Sequence, residues 1–235
     1  MKNNSNNSKL IYLKPEFGIY IHIPFCEKIC NYCDFYKTQL QNTKEIKQYF
    51  VKVKEHLIEW LNFYDIPQLV SIYFGGGTPG LFDEEYANIL NIFKEFIIPK
   101  VEITLETNPE NINENKLKIW KNLGINRLSI GIQTFNHNGL KFLTRTHKSD
   151  NAIEKIKLSQ NYFNNINVDL IYAWPQQTPK TFIQDLNTVV KLKIPHISLY
   201  ELSYHKHTAL WNKIAQGIIT PMKDNNIFEL YKQAC

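Results

Sequence analysis

The sequence predicts an α/β fold built from six β/α units, and three observations carry that expectation. Six short runs rich in β-branched and aromatic residues recur along the chain, most of them followed by a stretch with helical spacing. The runs read as near-continuous apolar segments, as expected of a parallel sheet covered by helices. The residues able to carry chemistry fall at the C-terminal ends of these runs, where barrels and open sheets bind ligands. Crossovers of this length wind right-handed, so both a partial barrel and an open sheet satisfy the pattern.

The first strand is expected around Gly18–Ile23. A helix follows near Lys44–Leu61, where Ile46, Phe50, Val53, Leu57 and Leu61 share one face at helical spacing. The second strand, Leu69–Phe74, ends in the triple glycine Gly75–Gly77, and a helix is expected over Glu84–Phe96. Strand three is Val101–Glu106, with a helix from Asn113 to Asn122. Strand four is Arg127–Ile132, followed by helical sequence to Tyr162. Strand five is Ile166–Ile171, with a helix near Pro179–Leu192, and strand six is His196–Leu202.

A chain of 235 residues, 43% hydrophobic and 13% aromatic, can bury a sizeable core. No linker divides it, so residues 10–235 are expected as one domain behind a loose, Asn-rich tail at 1–9. The net charge of +5 comes from scattered lysines; Arg127 and Arg145 are the only arginines. Scattered lysine reads as a solvated surface, so nucleic acid is not expected as a partner. No signal-peptide pattern and no apolar run of about 18 residues is visible, so a cytoplasmic protein without stable membrane insertion is expected.

Cys26, Cys30 and Cys33 form a C-x3-C-x2-C motif directly after strand one. Three cysteines so close together in a cytosolic chain read as metal ligands rather than as disulfides. Thiolates hold iron–sulfur clusters, normally four to a cubane. Three closely spaced thiolates leave one iron open to a small chelating molecule. A structural zinc site is the alternative, but zinc commonly takes C-x2-C pairs and four ligands, and the remaining cysteine, Cys235, ends the chain.

The stretch YIHIPFCEKICNYCDF (Tyr20–Phe35) resembles the oxygen-independent coproporphyrinogen oxidase-like family of radical S-adenosylmethionine (SAM) proteins. The resemblance continues through GGGTPGLF (Gly75–Phe82), ETNPE (Glu106–Glu110), SIGIQTF (Ser129–Phe135) and VDLIYAWPQQT (Val168–Thr178), in the family's order. It implies a partial (β/α)6 barrel of the radical SAM type and a [4Fe–4S] cluster on Cys26, Cys30 and Cys33. It also implies a SAM molecule on the open iron, which the family cleaves reductively to make a carbon radical. By the same resemblance Tyr20 contacts SAM, Gly76, Gly77 and Thr78 receive its amino group, and Glu106 accepts from its ribose hydroxyls. Gln133, Arg145 and Asp169 align with a second SAM position.

Coproporphyrinogen dehydrogenases of the family carry a further Cys two positions after the third ligand, where this chain has Phe35. The C-D-F form, together with Tyr32, is similar to the HemW branch, regarded as haem chaperones. That branch implies haem as a further ligand and haem-accepting proteins as partners. A dehydrogenase and an inactive remnant are the alternatives. Two departures stand out. Ala173-Trp174-Pro175 replaces the family's G-L-P, restricting the backbone and adding bulk. The family also continues beyond this length with a C-terminal domain, to which the branch's haem-contacting His–Tyr region belongs. Weak or absent haem binding by this chain alone is therefore expected. His22, alternating with the apolar residues of strand one, is expected as a packed histidine, and His196, His205 and His207 as structural or solvent-facing.

Overall fold

The computed structural model describes residues 16–40, 42–63 and 68–234. The expected tail at 1–9 and Cys235 lie outside them. Six strands form one parallel sheet: β1 (Phe17–Ile23), β4 (Leu69–Gly76), β5 (Ile97–Thr107), β6 (Arg127–Gln133), β7 (Asn165–Tyr172) and β8 (His196–Glu201). Between β1 and β4 a two-residue parallel ladder pairs β2 (Phe25–Cys26) with β3 (Thr38–Gln39). The sheet order is β1-β4-β5-β6-β7-β8, every neighbouring pair parallel. Each crossover thus moves one place the same way, which winds a sheet toward a barrel; a doubly wound sheet reverses direction. No pairing joins β8 to β1 among the described residues, so the barrel is partial.

Helices cover the outer face. On α1 (Thr43–Phe63) Ile46 and Phe50 are buried, with Val53, Leu57 and Leu61 packed at the margin of the core. The expected helix over Glu84–Phe96 is shorter, α2 (Glu85–Ile92), because β5 already begins at Ile97. After α3 (Glu114–Asn122), the helical sequence following β6 divides into α4 (His137–Phe142) and α5 (Ser149–Gln160). The break lies at Thr144, whose φ of 55° stops a right-handed helix. Then come α6 (Pro179–Lys191), α7 (Ala209–Ala215) and α8 (Asp224–Ala234). Helix α6 begins on a capping box, Thr178 with Thr181, with Pro179 in the first turn. The main core lies between sheet and helices around Phe74, Tyr86, Phe93 and Trp120, all fully buried.

The expectation of near-continuous apolar strands needs correction, because the strands alternate. In β5, Ile103 and Leu105 are buried in the core while Glu102, Thr104 and Glu106 share the opposite, inner face. In β6 the outward residues are Leu128, Ile130 and Ile132, and the inner ones Arg127, Ser129 and Gly131. In β7 Ile166, Val168 and Leu170 pack outward while Asn167 and Asp169 face inward. The inner wall of this barrel is therefore polar. Hydrogen bonds join its members across strands: Asn167 Nδ2 donates to Ser129 Oγ at 2.7 Å, and the Ser129 hydroxyl donates to Asp169 Oδ2 at 3.0 Å.

Candidate functional site

At the C-terminal ends of the strands lies a cavity of about 350 Å³. The loop that follows β1 carries Cys26, Cys30 and Cys33, and all three line this cavity as free cysteines. The loop is held from several directions. Thr38 N donates to Pro24 O at 2.8 Å and Leu40 N to Cys26 O at 2.8 Å, closing the short ladder. His22 contacts the Tyr36 carbonyl at 2.7 Å through Nε2, and the Tyr49 hydroxyl donates to His22 O. His22, expected as a packed histidine, thus ties the end of the cysteine loop to β1.

Two sulfurs have hydrogen-bond donors. Arg145 Nη1 donates to Cys30 Sγ at 3.4 Å, and the Thr78 hydroxyl to Cys26 Sγ at 3.6 Å. Burial, followed by the neighbouring thiols, pushes the Cys26 thiol up, with the Thr78 hydrogen bond opposing. Burial also pushes up Cys33, opposed by a backbone hydrogen bond from Phe35. These thiols keep their protons until a cation compensates the charge. A cubane takes each thiolate on a different iron, and three free thiols on one cavity wall supply that set. Donors aimed at the sulfurs fit the same group, since hydrogen bonds to sulfur tune such clusters.

The β4 turn forms the adjoining wall. Gly76 has φ +117° and Gly77 N donates to Ile23 O at 2.7 Å. A side chain at Gly77 would stand 2.7 Å from the Phe25 carbonyl oxygen and from the Pro24 backbone. Glycine is required there because the β4 turn and the start of the cysteine loop touch backbone to backbone. Thr78 N then donates to Phe25 O at 2.8 Å. Gly76, Gly77 and Thr78 all line the cavity.

Glu106, near the end of β5, is fixed through both oxygens. It accepts from the Tyr73 hydroxyl at 2.8 Å and from Gly76 N at 2.9 Å. Burial raises its carboxyl, and these two hydrogen bonds pull it back down. The carboxylate retains acceptor capacity toward the cavity. Asp169 faces the same space from β7, its carboxyl raised by burial and held down by Ser129, Asn167 and Ser198. Gln133 ends β6 with φ 68° and also lines the cavity, as does Tyr32. The Tyr32 ring packs against Leu143, Trp174 and Leu210 in a second, smaller core. The bulky Trp174 of the departed motif is buried there.

Arg145 holds a less open position than the alignment implied. It donates through Nη2 to Asn108 Oδ1 at 2.6 Å and to Gly131 O at 2.9 Å, besides its contact with Cys30. It therefore knits the β5, β6 and cysteine loops together. Its Nε has no hydrogen-bond partner among the described residues.

Tyr20 is exposed on β1, opposite Tyr73 in register, and stacks on it at 5.8 Å between ring centroids, with its hydroxyl 3.0 Å from His22 Nδ1. Burial and the Glu106 charge raise its hydroxyl to about 12. Several wall residues were not singled out in the sequence: Asn108, Ser129, Tyr200 and Glu201. Asn108 and Ser129 lie within the ETNPE and SIGIQTF stretches, so that signal was present. His205, expected to be structural or solvent-facing, lines the mouth and pairs with Asp34 at 3.3 Å.

Comparison with known proteins gives the family. The Radical SAM superfamily profile matches residues 20–189. The chain belongs to the radical SAM superfamily. It is similar to heme chaperones named HemW: it is 37% identical over 212 residues to that of Lactococcus lactis, covering 88% of this chain and 55% of the relative. It is 33% identical over 218 residues to that of Bacillus subtilis, covering 91% and 57%. The chain thus spans about half the length of the curated relatives it matches. Among solved structures, the radical SAM enzyme coproporphyrinogen III oxidase (HemN) from Escherichia coli superposes with a TM-score of 0.81 at 23% identity, over 94% of this chain and 51% of that one. The radical SAM family implies a [4Fe–4S] cluster and SAM, and the shared fold is the partial barrel expected from the sequence.

In such a site a bound cluster supplies an electron and one open coordination position. The protein's residues do the rest. Cys26, Cys30 and Cys33, on the loop at the end of β1, are the residues that would hold it. Arg145 and Thr78 donate toward two of the sulfurs, and Glu106 offers a fixed acceptor across the cavity. The buried walls around Tyr32 and Trp174 limit water on one side.

Proposed function

We propose that this chain is the cluster- and SAM-binding core of a HemW-type haem chaperone. The observation that carries the reading is convergence. Three cysteines, the Gly76–Thr78 turn, Glu106, Gln133, Arg145 and Asp169 line one cavity at the strand ends. Cys26, Cys30 and Cys33 hold a [4Fe–4S] cluster. Gly76, Gly77 and Thr78 receive the amino group of SAM, and Glu106 accepts from its ribose. Gln133 and Asp169 extend the pocket beyond that first position. Tyr20, exposed beside Tyr73 and its partner Glu106, contacts SAM.

Haem handling for haem-accepting proteins is supported by the similarity to HemW proteins and by Phe35 at the position of the dehydrogenase's extra Cys. Phe35 is exposed and brings no further thiol to the cysteine loop. Anaerobic reconstitution with iron and sulfide, followed by metal analysis and haemin titration, tests the reading. About four irons per chain are expected from a cubane, with haemin bound loosely by this chain alone. Tight, stoichiometric haemin binding that survives gel filtration would place the haem site within the barrel. Turnover of coproporphyrinogen III in the presence of SAM and a reductant would overturn the chaperone reading.

A further inference from the structure

We propose that Thr144 and Asn31 form a clamp that positions the cysteine loop; the proposal rests on the cluster reading above. Helix α4 ends in a Schellman motif. Arg145 N donates to Leu140 O at 2.9 Å and Thr144 N to Lys141 O at 3.2 Å, with Leu143 as C-cap. That motif needs a left-handed residue at the position after the cap, and glycine fills it at least strain. This chain has Thr144 there, at φ 55°. A β-branched residue in the left-handed region is strained.

The hydroxyl accounts for the residue. Thr144 Oγ1 accepts from Asn31 N at 3.0 Å. Asn31 lies between Cys30 and Cys33 and is 9% exposed, so its amide has few alternatives in water. The Asn31 side chain donates through Nδ2 to Phe142 O at 2.8 Å, satisfying a carbonyl at the end of α4. The Asn31 backbone carbonyl accepts from Leu210 N at 2.9 Å, at the start of α7. The next residue after Thr144 is Arg145, whose Nη1 reaches Cys30 Sγ. One helix end therefore grips the loop at Cys30 and Asn31 through a carbonyl, a hydroxyl and a guanidinium. The clamp fixes the middle of the C-x3-C-x2-C segment before any iron arrives, which lowers the ordering cost of loading it. Thr144 is a positioning residue: it touches the loop and not the cofactor.

Thr144→Gly and Thr144→Ser in the full chain test this. Glycine relieves the backbone strain but removes the acceptor; serine keeps the acceptor. The Thr144→Gly protein without iron is expected to melt at or above the wild-type temperature. Exchange of the Asn31 amide with deuterium should quicken about tenfold, the loss of one buried hydrogen bond. After reconstitution, its cluster should pass to an iron chelator about tenfold faster than wild type, while Thr144→Ser follows wild type in every readout. A Thr144→Gly protein with wild-type amide protection and wild-type chelator rates would overturn the clamp. An Asn31 amide that exchanges as fast in Thr144→Ser as in Thr144→Gly would also overturn it. A wild-type chain that takes up no iron would refute the cluster reading instead, and Asn31 exchange would still decide the clamp.

Discussion

Replacing Glu106 with glutamine should weaken SAM binding and leave the fold nearly intact, and the hydrogen bonds explain both halves. In the native site the carboxylate accepts from the Tyr73 hydroxyl and from Gly76 N. Gly76 N can only donate, whereas the tyrosine hydroxyl can also accept. A glutamine can therefore turn its oxygen to Gly76 and its amide to Tyr73, leaving neither group orphaned. What it loses is charge. A hydrogen bond to a charged group contributes about 1.5–3 kcal/mol against about 0.5–1.5 for a neutral one. The difference of roughly 1.4 kcal/mol corresponds to about tenfold in SAM affinity. Glu106→Ala should behave differently, because it strands Gly76 N and costs about 1–3 kcal/mol of stability as well. Isothermal titration of SAM into the reconstituted proteins, with urea unfolding alongside, separates the effects. A Glu106→Gln protein that binds SAM as tightly as wild type would refute the placement of Glu106 against the ribose.

Three further outcomes follow from other parts of the structure. Serine at Cys26, Cys30 or Cys33 should each abolish cluster uptake, while Cys235→Ser leaves iron content unchanged; loss of iron in Cys235→Ser would break the three-thiolate account. Gly139→Ala should destabilise the chain by roughly 1–3 kcal/mol in urea unfolding, the usual cost of overpacking. A Cβ there would stand 2.8 Å from both Thr134 and Trp174, and an unchanged midpoint would show that this second core can yield. Buried Asp185 accepts from the Thr134 hydroxyl and Phe135 N, and burial raises its carboxyl to about 6. Between its unfolded value of about 4 and about 6, the unfolded chain has released the proton that the native state still holds. Its contribution to stability is therefore present at low pH and falls as pH rises through that window, by roughly 3 kcal/mol. Subtracting the pH profile of Asp185→Asn from that of wild type should isolate the slope, and a flat difference would count against it.

The strand count and order of elements were legible because each strand's outward residues are β-branched or leucine and each helix has a clear apolar face. The inward residues were harder to read. In sequence, polar residues such as Thr104, Ser129 and Asn167 look like breaks in apolar runs; in the sheet they form the barrel's wall. The cysteine motif fixed the site's location outright, since its spacing alone implies a shared ligand. Tyr20 was legible only through its place in the motif; its stacking on Tyr73 and its contact with His22 come from the register of β1 against β4. Asn31 and Thr144 were invisible for another reason. Their bond spans 113 positions, and neither has a distinctive chemistry of its own. His205 likewise gains its meaning only from Asp34, brought close by folding of the β8–α7 loop against the cysteine loop.

The central claim is that three thiolates leave one iron open to SAM within this cavity. Electron paramagnetic resonance of the anaerobically reconstituted, reduced protein tests it most directly, recorded with and without SAM. The account predicts the signal of a reduced [4Fe–4S] cluster whose g-values shift when SAM is added, in wild type and in Cys235→Ser alike. A cluster signal that SAM leaves unchanged would contradict it.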